Sequence, residues 1–234
     1  MRSVLLVGMA RERSTRCKNK MIRDFAGTTI FDIYLNKLID ISTMDNCPFK
    51  DTIIAVNKND KILWEKTSSA KAIKLQERSD SSVAPDSVLS SNFSFLEDYD
   101  ENYVMWINGC FPFLKTETVI SAAKLFINNA KLKSLHCVKQ VKNWFWDGNG
   151  KPMTIRDKTL SRTQHAIPLF ESVHCFHIFN RKYLLENCAY WDFTENNPYL
   201  HKVDAGIEFL DIDTELDFLI CENLWRHVNE NRKS

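Results

Sequence analysis

The chain has 234 residues, of which 44% are hydrophobic and 26% charged, and its formal net charge is +1. This composition excludes a mainly disordered chain, and the small Gly and Pro content (6 of each) excludes collagen-like and low-complexity classes. The sequence has no apolar run of about 18 residues, so no membrane span is predicted. The balanced charge gives no overall basic footprint for nucleic acid.

Strands and helices are predicted to alternate along the first half of the chain. The apolar run Val4–Met9 predicts a buried strand, and it is too short for the apolar region of a signal peptide. Apolar residues spaced over Ile30–Ile41 predict a helix. Further strands are predicted at Thr52–Val56, Ala72–Leu75 and Tyr103–Asn108, and helices near Val88–Leu96 and over Thr116–Asn128.

This alternation predicts an α/β fold: a single three-layer domain, without repeats or linkers, around a mainly parallel sheet. Ligands of such sheets bind beyond the carboxyl ends of the strands. The loops at residues 10–20, 57–60, 78–86 and 109–115 are therefore the first candidates for a binding site.

The middle of the chain predicts an antiparallel arm over residues 133–170. Leu135–Val141 and Lys151–Ile155 flank two hairpin signals, Asp147-Gly148 and Asn149-Gly150. The aromatic run Trp144-Phe145-Trp146 on this arm predicts either a homodimer contact or a hairpin folded on its own domain. The last predicted elements are a strand at Cys175–Asn180, a helix at Arg181–Asn187, a strand at Ile207–Leu210 and a helix over Glu215–Asn229.

Seven cysteines are widely spaced, with no C-x-x-C pair. This pattern predicts reduced thiols and a cytoplasmic protein rather than a disulfide framework or a structural zinc site. His174 and His177, three residues apart, would face opposite sides of a regular strand, so ordinary packing is expected rather than joint metal binding.

An acidic motif follows the last predicted strand. Asp211 and Asp213 are two residues apart, so on an extended backbone their carboxylates point the same way. Such a pair suits one Mg²⁺ shared with substrate phosphates. Thr214 and Asp217 predict a capping box for the final helix. The alternative is that Asp213 only helps to cap this helix and that Asp211 is solvated.

A cationic loop follows the first strand, with six basic residues and one acidic residue between positions 11 and 23. It has neither a P-loop nor a Rossmann glycine pattern, and a basic loop by itself is more often a solvated surface than a phosphate site. Combined with the acidic motif after the last predicted strand, the loop predicts a site for a metal–nucleoside triphosphate.

These motifs resemble the acylneuraminate cytidylyltransferase family. The family loop A-R-x-x-S-x-x-x-x-x-K-N is matched by Ala10, Arg11, Ser14 and Lys20, and the motif D-I-D-[TS]-x-x-D is matched throughout residues 211–217. Weaker matches in the middle of the chain are Arg78, Asn108, Pro112, the pair Arg162 and Gln164, and the segment Phe179–Leu184.

The resemblance implies a Rossmann-like nucleotidyltransferase fold and the transfer of CMP from CTP to an acidic sugar, with release of pyrophosphate. It implies triphosphate contacts by Arg11, Ser14 and Lys20, and Mg²⁺ held by Asp211 and Asp213. Arg11, Lys20, Asp211 and Asp213 would be the catalytic residues. The cytidine half would contact Arg78 and Asn108, and the acceptor would contact Arg162 and Gln164. A homodimer formed through the arm is also implied.

The sequence departs from the family at several positions. Glu12-Arg13 replaces a Gly-Gly pair, Met21 replaces Asn, and Val173-His174 stands on the sugar side in place of Asn and a small residue. The acceptor is therefore open between sialic acid, another acidic sugar, and a phosphate- or carboxylate-bearing compound.

Two other functions stay open. Asp211-x-Asp213 also satisfies the D-x-D pattern of nucleotide-sugar glycosyltransferases, although that motif usually lies mid-domain. The third hypothesis is a catalytically inactive relative that binds a nucleotide without turning it over. Pyrophosphate release from CTP separates the first function from the other two.

Overall fold

A seven-stranded mixed sheet organises the computed structural model, which describes residues 2–84, 86–155, 157, 159, 161–203 and 206–230. Pro85, within the predicted 78–86 loop, lies outside these ranges, as do three residues of the 133–170 segment. The strands are β1 (Val4–Met9), β2 (Asp24–Phe25), β3 (Thr28–Thr29), β4 (Asp51–Val56), β5 (Lys74–Glu77), β6 (Tyr103–Asn108), β7 (Leu135–Val141), β8 (Leu169–Asn180) and β9 (Tyr199–Lys202).

Helices connect most of these strands. They are α1 (Ile30–Thr43), α2 (Lys61–Ser69), α3 (Asp80–Val83), α4 (Leu89–Asn92), α5 (Thr116–Asn128), α6 (Arg181–Asn187) and α7 (Glu215–Glu230). Three 3₁₀ segments cover Ser94–Asp98, Thr163–His165 and Gly206–Phe209. Across the described residues, none of the helices has the length and apolarity needed to cross a bilayer.

The strand order is β5-β4-β1-β6-β8-β7-β9, with β2 and β3 forming a separate ribbon. All neighbours in the large sheet are parallel except β8, which runs antiparallel to both β6 and β7. Alternate residues of β1 enter different clusters: Val4 and Leu6 pack on one face, and Leu5 and Val7 on the other. Because both faces are buried, the sheet is the middle of three layers, as the α/β prediction requires.

Tyr34 of α1 holds β1 and β6 together where both strands end. Its hydroxyl donates to the Ile107 carbonyl (2.7 Å) and accepts from the Met9 amide (3.0 Å). A Cβ on Gly8 or Gly109 would lie within 2.7 Å of this side chain. Glycine at both positions therefore lets the tyrosine ring lie against the carboxyl edge of the sheet, directly below the loops that follow.

Several predicted elements have the predicted bounds, among them β1, β6, β7, α5 and α6. The strand predicted at Ile207–Leu210 is wrong, because this segment forms a 3₁₀ turn in which the Glu208 carboxylate is buried and accepts from the Lys115 amide (3.0 Å). The edge position belongs instead to β9, which the sequence analysis missed. Helix α2 was also not predicted.

The segment 133–170 begins inside the sheet, since β7 pairs with both β8 and β9. Its predicted hairpin tip is present: Trp146 and Pro152 form an antiparallel bridge, and the Asp147 amide donates to the Lys151 carbonyl (2.9 Å). Lys151–Ile155 forms no strand beyond that bridge. All seven cysteines are free thiols, as expected. A homodimer through this segment stays a prediction.

Candidate active site

A cleft of about 390 Å³ lies at the carboxyl edge of the sheet, where β1, β5 and β6 end. A depression of about 760 Å³ beside α1 and α5 is larger, but none of the residues predicted for nucleotide or metal lines it. Of the residues predicted for nucleotide and metal, Arg11, Ser14, Lys20, Arg78, Asn108 and Asp213 all line this cleft.

The cationic loop is fixed to the start of α7 by ion pairs. Both terminal nitrogens of the Arg16 guanidinium contact the Asp213 carboxylate, at 2.9 and 3.0 Å. Glu215 accepts from the Lys18 amide (3.1 Å) and from the Arg23 guanidinium (2.9 Å). Residues almost 200 positions apart in the chain therefore form one wall of the cleft.

Lys20 is the buried cation of this wall. Its ammonium donates to the Ile212 carbonyl and lies 3.3 Å from the Asp213 carboxylate, and its side chain is 10% exposed. Burial alone would lower the pKa of Lys20, but the neighbouring Cys110, Asp213 and Asp211 leave that pKa raised. Lys20 is therefore positively charged at neutral pH inside the site.

The Asp211–Asp213 segment lies beside the turn after β6, because the Ile212 amide donates to the Cys110 carbonyl (3.1 Å). The segment belongs to no strand and follows a 3₁₀ turn, so the predicted strand end is wrong here. The predicted capping box is confirmed: Thr214 and Asp217 exchange hydrogen bonds at 2.7 and 3.2 Å.

Asp213 lines the cleft, whereas Asp211 does not. One of the Asp211 carboxylate oxygens is buried and has no hydrogen-bond partner. Burial and then the charge of Asp213 raise the pKa of Asp211 to about 6. Lys20 and Arg16 offset part of this rise, and the buried oxygen without a partner is a ligand that a hard divalent ion could use.

The opposite wall of the cleft carries Arg78, directly after β5. Its guanidinium donates to the Ser82 carbonyl (2.7 Å), while its Nε is buried and unpartnered. Burial and the nearby Arg11 lower the pKa of Arg78 to about 10, so it stays charged at neutral pH. Arg78 thus has donor capacity left for a ligand.

The floor between these walls is formed by β6 and the turn after it. Trp106 and Asn108 are two residues apart, share one sheet face and both line the cleft. The side-chain oxygen (Oδ1) of Asn108 accepts from the Cys110 amide (3.0 Å), so the amide group is oriented with its NH₂ available to a ligand. The indole N–H of Trp106 is buried without a partner.

Glu12, one of the two residues that stand in place of the Gly-Gly pair of the resembled family, fixes the loop to α2. Its carboxylate accepts from the amides of Ile62 and Leu63 (2.7 and 3.4 Å), the first turn of α2. The residue before that turn, Asp60, makes no side-chain cap. The loop is therefore tied down by a helix cap made by a side chain from another element.

Arg162 and Gln164, the predicted acceptor residues, are exposed and do not line the cleft. Arg16, Trp106 and Tyr190 line it but were not selected from the sequence as site residues. Arg16 lies within the cationic loop and Trp106 shares a strand face with Asn108, so the sequence pattern could have indicated both residues. No sequence pattern indicates Tyr190.

The expectation for the histidines is wrong in its geometry. His174 and His177 lie on the same side, with ring nitrogens 3.3 Å apart. The cause is an irregularity in the β7–β8 pairing: His136 is opposite His177 but Val138 is opposite Ser172, so four β8 residues face one β7 residue. Such a bulge breaks the alternation of side chains on which the expectation depended.

Comparison with known proteins gives a family. The sequence model of the cytidylyltransferase family matches residues 6–144, more than half of the chain. The chain therefore belongs to the cytidylyltransferase family. Comparison with curated proteins gives no significant match. The cytidylyltransferase part of the resemblance is confirmed, and its acylneuraminate part stays a prediction.

Solved structures share the fold at low identity. CMP:2-keto-3-deoxy-manno-octonic acid synthetase complexed with CTP has a TM-score of 0.66 at 12% identity, over 96% of this chain and 99% of the other. 4-diphosphocytidyl-2C-methyl-D-erythritol synthase from Anaerococcus prevotii DSM 20548 has a TM-score of 0.62, with the same identity and coverage. The bifunctional IspDF from Campylobacter jejuni has a TM-score of 0.57 at 16% identity, over 92% of this chain and 53% of the other.

Proposed function

We propose that this member of the cytidylyltransferase family transfers CMP from CTP to a hydroxyl or other oxygen of an acidic sugar or related acceptor, releasing pyrophosphate. The observation that carries the proposal is the convergence of Lys20, Arg16 and Asp213 at the carboxyl edge of the sheet, opposite Arg78. Cations on two walls of one cleft suit a triphosphate, whose charge they would neutralise.

The triphosphate would bind along the cationic loop. Arg11, Ser14 and Lys20 line the cleft, and the Lys20 ammonium is held in place by a hydrogen bond to the Ile212 carbonyl. Arg16 is 68% exposed on its side chain, so it is free to move from Asp213 to a phosphate. Because Lys20 is buried and charged before the ligand arrives, it would stabilise the leaving pyrophosphate with little reorganisation.

The cytidine half would lie across Trp106 and Asn108 towards Arg78. Asn108 and Arg78 supply unpaired N–H groups, which match the carbonyl and ring-nitrogen acceptors of cytosine and the ribose oxygens. Trp106 supplies an apolar surface beneath them. No nucleophilic side chain is assigned, since the acceptor oxygen itself attacks the α-phosphorus.

The acidic pair fits a divalent cation such as Mg²⁺. Asp211 has a buried carboxylate oxygen without a partner, and Asp213 faces the cleft beside it. Within the described ranges, no set of three or more His, Cys, Asp or Glu side chains has metal-binding geometry, so phosphate oxygens and water would complete the coordination. When bound, the ion would supply further neutralisation of phosphate charge.

The acceptor would approach from the β8 side of the cleft. Arg162 and Gln164 lie on the 3₁₀ turn before β8, outside the cleft, and their contact with the acceptor is carried over from the family resemblance alone. An acylneuraminate-type acceptor is the finer form of the proposal. The homodimer and a cytoplasmic location belong to it as well.

The test is a pyrophosphate-release assay with the purified chain, Mg²⁺ and each of the four nucleoside triphosphates. The acceptors are sialic acid, 2-keto-3-deoxy-manno-octonic acid and a methylerythritol phosphate. We expect release with CTP and at least one acceptor, and none without an acceptor. Transfer from a nucleotide sugar without pyrophosphate, or binding of CTP without turnover on any acceptor, would refute the proposal.

A further inference from the structure

Four side chains on β7 and β8 form a closed ring of hydrogen bonds. His136 contacts His177 (Nδ1 to Nδ1, 2.8 Å), and His177 contacts His174 (Nε2 to Nδ1, 3.3 Å). Ser172 closes the ring through its hydroxyl, which lies 2.6 Å from His136 Nε2 and 3.2 Å from His174 Nε2. We call these residues the histidine ring.

Every member of the histidine ring has one donor and one acceptor available. A neutral imidazole donates from one nitrogen and accepts at the other, and a hydroxyl does both. All four contacts are therefore satisfied when the protons point the same way around the ring, in either direction. In one direction Ser172 donates to His174 Nε2, His174 donates to His177, His177 to His136, and His136 Nε2 back to Ser172.

The ring lies on the same face and at the same edge of the sheet as the cleft. His177 is directly opposite Trp106 in the β6–β8 pairing, and their rings are 5.3 Å apart. Tyr190, another residue of the cleft, lies 4.9 Å from the His177 ring. Because β8 runs antiparallel to β6, His174 and Ser172 lie further towards the carboxyl edge, and the ring adjoins the cleft through Trp106 and Tyr190 without lining it.

The ring has a buried half and an exposed half. His136 and His177 are buried, whereas Ser172 and His174 are exposed. Burial lowers the pKa of His136 to about 4 and holds that of His177 well below its ordinary value. A positive charge is therefore disfavoured in the buried half of the ring, and Ser172 and His174 are the half in contact with water.

Other groups around the ring leave this assignment intact. Tyr190 and Trp191 pack against the buried histidines, and the Lys139–Glu171 ion pair (2.9 Å) lies on the neighbouring positions of β7 and β8. Trp191 does not titrate, burial raises the pKa of Tyr190, and the ion pair is internally neutralised. The ring nitrogens of the three histidines are taken up by contacts with one another and with Ser172. Among the described residues, no group of three or more His, Cys, Asp or Glu side chains has metal-binding geometry.

From this geometry we infer that Ser172 and His174 accept the proton of the attacking acceptor hydroxyl, with His136 and His177 as positioning residues. The inference rests on the proposed cytidylyl transfer. As the acceptor oxygen bonds to the α-phosphorus and pyrophosphate leaves, its proton passes to Ser172 Oγ and the Ser172 proton passes to His174 Nε2. His177 accepts from His174 Nδ1 and so fixes its orientation. The proton then returns to water from His174.

The experiment compares His174→Ala and Ser172→Ala with Glu171→Gln, an exposed neighbour on β8 outside the ring. Pyrophosphate release gives kcat and KM, calorimetry gives CTP affinity, and thermal unfolding gives Tm. We expect kcat to fall about 100-fold or more in both ring variants, since general base catalysis contributes at least this much. CTP affinity and Tm should match those of Glu171→Gln.

Added imidazole separates a proton-transfer role from a structural one. We expect imidazole to restore part of kcat in His174→Ala but not in Ser172→Ala, which retains its histidine. Unchanged kcat in both variants, or a fall in kcat with lower Tm and no response to imidazole, would overturn the inference while leaving cytidylyl transfer standing. A wild-type chain inactive with every nucleotide and acceptor would refute both.

Discussion

Replacing Lys20 tests the cationic loop most directly. In Lys20→Met the apolar stem is kept and the ammonium is lost, together with its contacts to Ile212 and Asp213. One charge-assisted contact to phosphate contributes roughly 1.5–3 kcal/mol. CTP affinity should therefore fall about ten- to a hundredfold. CMP, which lacks the β- and γ-phosphates, should lose much less.

The same substitution has a second, independent consequence at the acidic pair. Lys20 is among the charges that hold down the pKa of Asp211, against burial and Asp213, which raise it. Removing the ammonium should raise this pKa further and lower the stability of the ligand-free protein by about 1–3 kcal/mol, the cost of leaving a buried polar partner unpaired. Thermal unfolding without nucleotide measures this change.

The matched control is Lys18→Met, because Lys18 is on the same loop but exposed, and only its backbone amide contacts Glu215. Calorimetry with CTP, CMP, UTP and ATP on the wild type and both variants forms the full assay. Base preference should be unchanged in Lys20→Met, since Asn108 lies on a different strand end. Equal losses for CMP and CTP, equal effects of both substitutions, or equal wild-type affinity for ATP and CTP would refute this reasoning.

Three further predictions concern the acidic pair and the arm. Asp211→Asn and Asp213→Asn should each lower kcat about 100-fold or more with the fold retained; near-wild-type turnover of both at saturating Mg²⁺ would contradict the metal role. Because the raised pKa of Asp211, about 6, leaves it protonated below that pH, Mg²⁺ should raise Tm at lower concentration at pH 7.5 than at pH 5. Asp211→Asn should abolish that difference. The chain should form a homodimer through residues 133–170, so light scattering at micromolar concentration should give about twice the 27.3 kDa chain mass. A monomer mass would exclude the dimer.

Local patterns predicted the central strands and the final helix. Val4–Met9 and Tyr103–Asn108 are apolar or nearly so, and both faces of this sheet are buried, so continuous apolar runs mark its strands directly. The Thr214–Asp217 capping box is also a contact over three residues, complete within the sequence that forms it. Most residues of the proposed nucleotide site were chosen from the same patterns, since they lie at or directly after the ends of these strands.

Where distant segments meet, the pattern misled. Ile207–Leu210 has strand-like residues, but Glu208 within it is buried against Lys115, and the less apolar β9 takes the edge position next to β7. His174 and His177 share a side because of the bulge opposite Cys137. In the first case a buried long-range contact overrides the local pattern, and in the second the register against β7 does, since a slip in pairing changes which side chains face a given layer.

The sequence by itself determined the α/β class, the cationic loop after β1 and the acidic motif before α7, because each is encoded by neighbouring residues. Only the tertiary structure decided that Arg16 and Lys20 contact Asp213 and that Asp211 has a buried carboxylate oxygen without a hydrogen-bond partner. The same is true of the histidine ring beside the cleft. The cleft depends on the parallel packing that brings the carboxyl ends of β1, β5 and β6 to one edge, and the histidine ring depends on the antiparallel β8 beside them. Burial there sets the charge states, and burial is a property of the packed chain rather than of any local segment.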